Sequence, residues 1–173
     1  KLLNAKGEFL DAAEGAKILD LAEKEAFVFS EVDDLGEVTV NDSYIDIHID
    51  EVLDLALVDK EVIKAAKFKV VVDGVNSTGG IAIPKLLEEL GVEVVKLYCD
   101  PTGHFPHNPE PLKEHLGDIS KLVVAEKADF GIVVDPDVDR LAFISNDGEM
   151  FGEEYTLVAC ADYVLGKTKG NTV

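Results

Sequence analysis

Residues 129–152 read DFGIVVDPDVDRLAFISNDGEMFG, and the fold turns on them. Two apolar runs, Phe130 to Val134 and Leu141 to Ile144, flank a hexapeptide of three aspartates, a proline, a valine and an arginine. Short runs rich in Val, Ile and Phe are the pattern of buried strands. The turn between them therefore sets Asp135, Asp137 and Asp139 in alternation at a strand end, with Pro136 fixing the backbone after the first. So short a link makes the second strand antiparallel to the first.

Three carboxylates this close repel one another and pay for lost solvation unless a cation or water answers them. A hard divalent ion with a preference for oxygen answers them best, and Mg²⁺ is the usual one beside a phosphate. Arg140 follows at once and is the only arginine in the chain. A guanidinium grips phosphate in bidentate fashion. An EF-hand would need glycine at Arg140 and glutamate at Asn146, so it fails twice. A haloacid-dehalogenase-type phosphatase would need Thr or Val at Asp139. The bland alternative is a solvated acidic turn in a very acidic protein.

The hexapeptide Asp135-Pro136-Asp137-Val138-Asp139-Arg140, between two apolar strands and ahead of a helix, resembles the metal-binding loop of the α-D-phosphohexomutases. That family's pattern is D-G-D-x-D-R, and Pro136 stands where its glycine would be. The resemblance implies that Asp135, Asp137 and Asp139 hold Mg²⁺ and that Arg140 touches the phosphate of a phosphoserine. It implies a phosphorylated hexose as substrate, moved between its 1-phosphate and 6-phosphate forms. The serine loop of the family, T-A-S-H-N-P, occurs nowhere in the sequence. A later N-G-x-K and hairpin would place the family's proton-transfer lysine at Lys1. Residues 1–42 then correspond to the tail of a first domain and 43–173 to a second, metal-binding one. The remaining domains of the same chain become partners, and this piece alone is expected to be inactive. Gly148-Glu149-Met150-Phe151-Gly152 resembles the family's sugar loop G-E-x-S-G, but Phe151 replaces the serine, and the segment reads as a turn into a helix. Two other classes stay open: a metal-dependent module recruiting a basic protein, and a metal-dependent phosphatase.

Composition sets the outer bounds. The 173 residues are 47% hydrophobic, enough for a real core. The formal charge of −19 argues against nucleic acid and anionic membranes as partners. No apolar run reaches the length of a membrane span. Cys99 and Cys160 lie far apart in apolar surroundings and read as buried thiols of a reducing compartment; with no visible signal peptide, the expected location is the cytoplasm. The start at Lys1, without methionine, and the end in a turn and an incipient strand suggest a piece of a longer protein.

Along the chain, residues 1–10 suggest a hairpin around Gly7, and Asp11 caps a helix over 12–22. Residues 26–42 are irregular, and helices follow over 42–57 and 59–66. Residues 68–72 form a strand ending at Asp73, then a glycine-rich loop and a helix over 81–90. That loop is neither G-x-G-x-x-G nor a Walker motif, so Gly79, Gly80 and Ser77 are read as a tight turn. A strand spans 92–98, and the prolines of 101–111 enforce a rigid extended loop holding His104 and His107, read as loop-stabilising. His48 reads as structural or exposed. Helices are expected over 112–116, 119–128 and 153–165. The alternation predicts an α/β fold: a three-layer α/β/α domain with a mainly parallel mixed sheet, preceded by a partial α/β domain, with ligands at the carboxyl ends of strands.

Overall fold

The computed structural model describes residues 2–167, and the chain divides into two compact units between Asn41 and Asp42. In the first unit, helix α1 (Ala12–Glu23) starts at Asp11. The Asp11 side chain accepts from the Glu14 N–H while the Glu14 carboxylate accepts from the Asp11 N–H, a reciprocal capping box. The hairpin expected before it is reduced to one antiparallel pair, Leu3 with Phe9. A single 3-10 turn, Val32–Asp34, interrupts the irregular stretch that follows. No described residue of this unit is buried.

The second unit is built on a four-stranded sheet. Helices α2 (Tyr44–Leu53) and α3 (Lys60–Ala66) come first, then β1 (Lys69–Asp73), α4 (Gly79–Glu89), β2 (Glu93–Leu97), α5 (Gly117–Glu126), β3 (Phe130–Val134), β4 (Leu141–Ser145) and α6 (Glu153–Lys167). The strand order is β2-β1-β3-β4. β1 runs parallel to both β2 and β3, and β4 runs antiparallel to β3. Strand alternation divides the side chains between two faces. On one face Val71, Val133, Ala142 and Ile144 pack with Leu116, Ile119 and Val123 beneath α5. On the other, Val70 and Val72 pack with Ile49 and Leu53 of α2, and with Leu90 and Val92. Each fully buried Val or Ile contributes roughly 1.5–3 kcal/mol. The three-layer α/β/α fold with its mixed sheet is as the sequence predicts.

Three local expectations are corrected. Residues 112–116 hold only a 3-10 turn, Lys113–His115, because Pro109 and Pro111 keep the approach extended and Leu116 turns inward to 2% exposure. Cys160 is exposed on α6, not buried, and Cys99 is half-buried. Residues 149–150 do more than turn: Met150 pairs with Ile144, extending the β4 hairpin around Gly148 at φ +86°. No helix among the described residues is long and apolar enough to cross a membrane.

Candidate functional site

β3 delivers its carboxyl end directly into the aspartate loop. Asp135 is 5% exposed, and its Oδ1 accepts the backbone N–H groups of Asp139 at 3.1 Å and Arg140 at 3.2 Å. The loop is thus wrapped around one buried carboxylate. Its backbone is closed by the Val138 N–H donating to the Asp135 carbonyl, with Val138 left-handed at φ +61°. Asp137 and Asp139 are exposed, and one oxygen from each of the three carboxylates falls within 4.8 Å of the others. Burial pushes the Asp135 carboxyl up; the Arg140 and Asp139 N–H groups pull it back, and the charges of Asp137 and Asp139 push it further up. The structure therefore brings together the three aspartates singled out in the sequence.

Arg140 joins them by its side chain. Its Nε lies 3.7 Å from Asp135 Oδ2 and 3.9 Å from Asp139 Oδ1, and its Nη1 pairs with the Glu110 carboxylate. Glu110 was not singled out in the sequence. The signal for it is local: Pro109 and Pro111 fix extended backbone on both sides of one carboxylate. Lys1, the proton-transfer lysine implied by resemblance, lies outside the described residues.

The glycine-rich loop between β1 and α4 faces the same turn. The Ser77 and Thr78 hydroxyls both donate to the Pro136 carbonyl, at 2.8 Å and 2.9 Å. Val75 and Asn76 just before them are left-handed, at φ +46° and +53°. A left-handed β-branched residue is a true backbone outlier, and such outliers gather at functional sites. Gly79 is needed for close approach: a Cβ there would meet Val134 Cγ2 at 2.3 Å. A Cβ on Gly80 would lie 2.6 Å from the Cys99 Cα.

The Pro-rich loop is tied to this frame. Asn76 donates from Nδ2 to the His104 carbonyl at 3.1 Å and accepts from the Gly103 N–H at 3.0 Å. His107 Nε2 lies 3.0 Å from Asp73 Oδ2, while the Val75 N–H donates to Asp73 Oδ1 at 2.9 Å. His107 therefore anchors the loop to the end of β1, while His104 is bound through its backbone. His48 is exposed. A cleft of about 330 Å³ abuts the aspartate loop, walled by Ile45, Ile49, Ile83 and Leu86 with Thr78 and Asp137 at its edge. A larger one, about 460 Å³, lies among Phe130, Phe143 and Phe151 at the other end of β3, away from the carboxylates.

A family profile described as "Phosphoglucomutase/phosphomannomutase, alpha/beta/alpha domain II" matches residues 44–148. The chain belongs to the phosphoglucomutase/phosphomannomutase family. Among family members, a probable phosphoglucosamine mutase of Methanosarcina acetivorans is 35% identical across 100% of the chain and 38% of its own length. A phosphoglucomutase/phosphomannomutase of Thermococcus kodakarensis is 37% identical across 98% of the chain and 37% of its own length. A crystal structure of a family protein from Burkholderia thailandensis superposes with a TM-score of 0.70 at 25% identity, covering 91% of the chain and 32% of that protein. The chain thus spans little more than a third of the curated relatives it matches. These relatives are named as mutases, which are isomerases.

Proposed function

We propose that the chain supplies the Mg²⁺-binding and phosphate-gripping part of a phosphohexomutase, an enzyme that interconverts hexose 1-phosphates and 6-phosphates through a phosphoserine. The observation that carries this reading is the convergence of three carboxylates from alternate residues at the carboxyl end of β3, the buried one pinned by two loop N–H groups. The donor set fits the cation: it is all hard oxygen, with no histidine or thiol among the three. When bound there, Mg²⁺ supplies charge stabilisation for a phosphoryl group in transfer.

The chain's own residues divide the remaining work. Asp135 sets the loop's shape, and Asp137 and Asp139 present ligand oxygens from its exposed side. Arg140, half exposed and planar, is placed to grip phosphate oxygens beside them. Lys1 would assist proton transfer near the same phosphate. The phosphorylated hexose and the serine are held by this surface together with parts of the protein outside these 173 residues.

The test is a Mg²⁺ titration followed through backbone amide signals, repeated with Asp139→Asn. Shifts centred on residues 135–140, and weakened at least about tenfold in the variant, are expected. A chain that shows no response to Mg²⁺, even with a phosphoserine peptide present, defeats the reading.

A further inference from the structure

The aspartate turn is gripped from outside by two hydroxyls on one oxygen. Pro136 stands between Asp135 and Asp137, and its carbonyl belongs to the Pro136–Asp137 peptide, the second of the two that link the first two candidate ligands. A carbonyl oxygen has two lone pairs, and here Ser77 Oγ and Thr78 Oγ1 occupy both, at 2.8 Å and 2.9 Å. The proline ring fixes φ at the same residue. Pro136 is thus constrained at its φ by its own ring and at its carbonyl by a second loop about 58 residues away in sequence.

The second loop is itself held stiffly. Val75 is fully buried in a left-handed conformation, and Asn76 follows in the same region. The Asn76 N–H donates to the Tyr98 carbonyl at 2.6 Å, and the Ser77 N–H to the Gly74 carbonyl at 2.9 Å. Gly79, with no room for a Cβ against Val134, seats the loop against the end of the strand that leads into Asp135. A backbone so constrained aims both hydroxyls at a fixed point.

We infer that Ser77 and Thr78 are positioning residues for the metal loop: their hydrogen bonds to the Pro136 carbonyl hold the aspartate turn in cation-ready spacing before the cation arrives. This rests on the metal reading proposed above. Neither hydroxyl needs to touch the cation or substrate. Their effect comes through the relative placement of Asp135 and Asp137, as outer partners of metal ligands usually act.

The experiment compares the chain with Ser77→Ala/Thr78→Val, which removes both donors, and with Ser77→Thr/Thr78→Ser, which keeps both. Dissociation constants for Mg²⁺ alone are read from the loop amide shifts, and each protein is melted in EDTA. Both hydroxyls gone should weaken Mg²⁺ binding about tenfold or more, with little change in the metal-free Tm, and the exchanged pair should retain the parent affinity. Parent-like affinity in the Ala/Val variant overturns the inference, and so does a loss of Tm without a loss of affinity. An exchanged pair as weak as Ala/Val shows that shape rather than hydroxyl donation matters, and overturns it as well. If the double variant does not fold, the single variants Ser77→Ala and Thr78→Val must each show a part of the loss. Absence of Mg²⁺ binding by the parent chain itself brings down the metal reading and this inference together, a result distinct from the others.

Discussion

Arg140 is the only arginine in a chain of net charge −19, and it is already engaged with a carboxylate. A phosphate reaching its Nη1 competes with Glu110. Neutralising Glu110 removes that competitor and one repelling charge without touching a buried group. We expect Glu110→Gln to bind a phosphoserine peptide several-fold more tightly in the presence of Mg²⁺, and Arg140→Lys to bind it more weakly, since lysine loses the bidentate fork. A peptide titration by calorimetry reads both, and weaker binding by Glu110→Gln would mean that Glu110 aims Arg140 instead of competing for it. Backbone proximity gives a second prediction. Gly80→Ala drives a Cβ to 2.6 Å from the backbone of Cys99, which cannot move aside as a side chain can, so it should cost about 2–3 kcal/mol in urea unfolding. Gly117→Ala, with nothing within 4 Å, should instead gain about 0.4–1 kcal/mol. Equal effects at the two positions would show that crowding does not set the requirement at Gly80. The aspartates were legible because their alternation is local. Glu110 and the Ser77–Thr78 pair were not legible as partners, because their contacts lie 30 and 58 or more residues away.

Among elements, the Pro-rich loop and β1 are joined through Asp73 and His107. Burial pushes the Asp73 carboxyl above its ordinary 3.8; the Val75 N–H and His107 oppose this, and the charge of Asp118 adds to it. A carboxyl raised in the folded state holds its proton more tightly there than in the unfolded chain. Its contribution to stability is therefore complete below about pH 4 and is lost as pH rises through the raised value. Asp73→Asn cannot titrate and still offers an acceptor to the Val75 N–H. Its stability relative to the parent should improve from about pH 4 until the raised value is passed and then level off, read as urea midpoints across that range. The opposite slope would show that His107 keeps Asp73 ionised throughout. The strands around this joint were legible because three successive valines in β1 are buried and the run Phe130–Val134 in β3 is buried or half-buried on both faces, where apolar continuity is the signal. The helix expected over 112–116 failed for a tertiary reason: the chain spends those residues turning Leu116 under the sheet. Cys160 misled because it lies in an apolar stretch of α6 whose side chains are largely exposed, including Leu157 at 73% and Val158 at 60%.

For the whole molecule, burial is very unequal between the two units. From residue 42 onward there is a two-faced core, whereas no described residue of 2–41 is buried and Phe29, Val28, Val38 and Val40 are 84–97% exposed. Apolar burial is the main favourable term in folding, so local opening in 2–41 should cost far less than opening of the sheet. Limited digestion by a broad-specificity protease should cut within 2–41 first and leave a product starting near residue 42. That product should keep the parent's loop amide shifts with Mg²⁺, because every residue placed around the aspartate turn lies in the second unit. Cleavage inside the sheet before 2–41 would contradict the stability ranking drawn from burial. The same division bears on catalysis. The 173 residues contain the three carboxylates and the arginine but no S-H-N-P serine loop. A charge-stabilising surface without a phosphate donor binds and does not turn over, so the purified chain should bind Mg²⁺ yet interconvert no hexose phosphate in a coupled assay. Steady turnover by the pure chain would require a phosphate-carrying group within these residues, and would assign the reaction to a different mechanism.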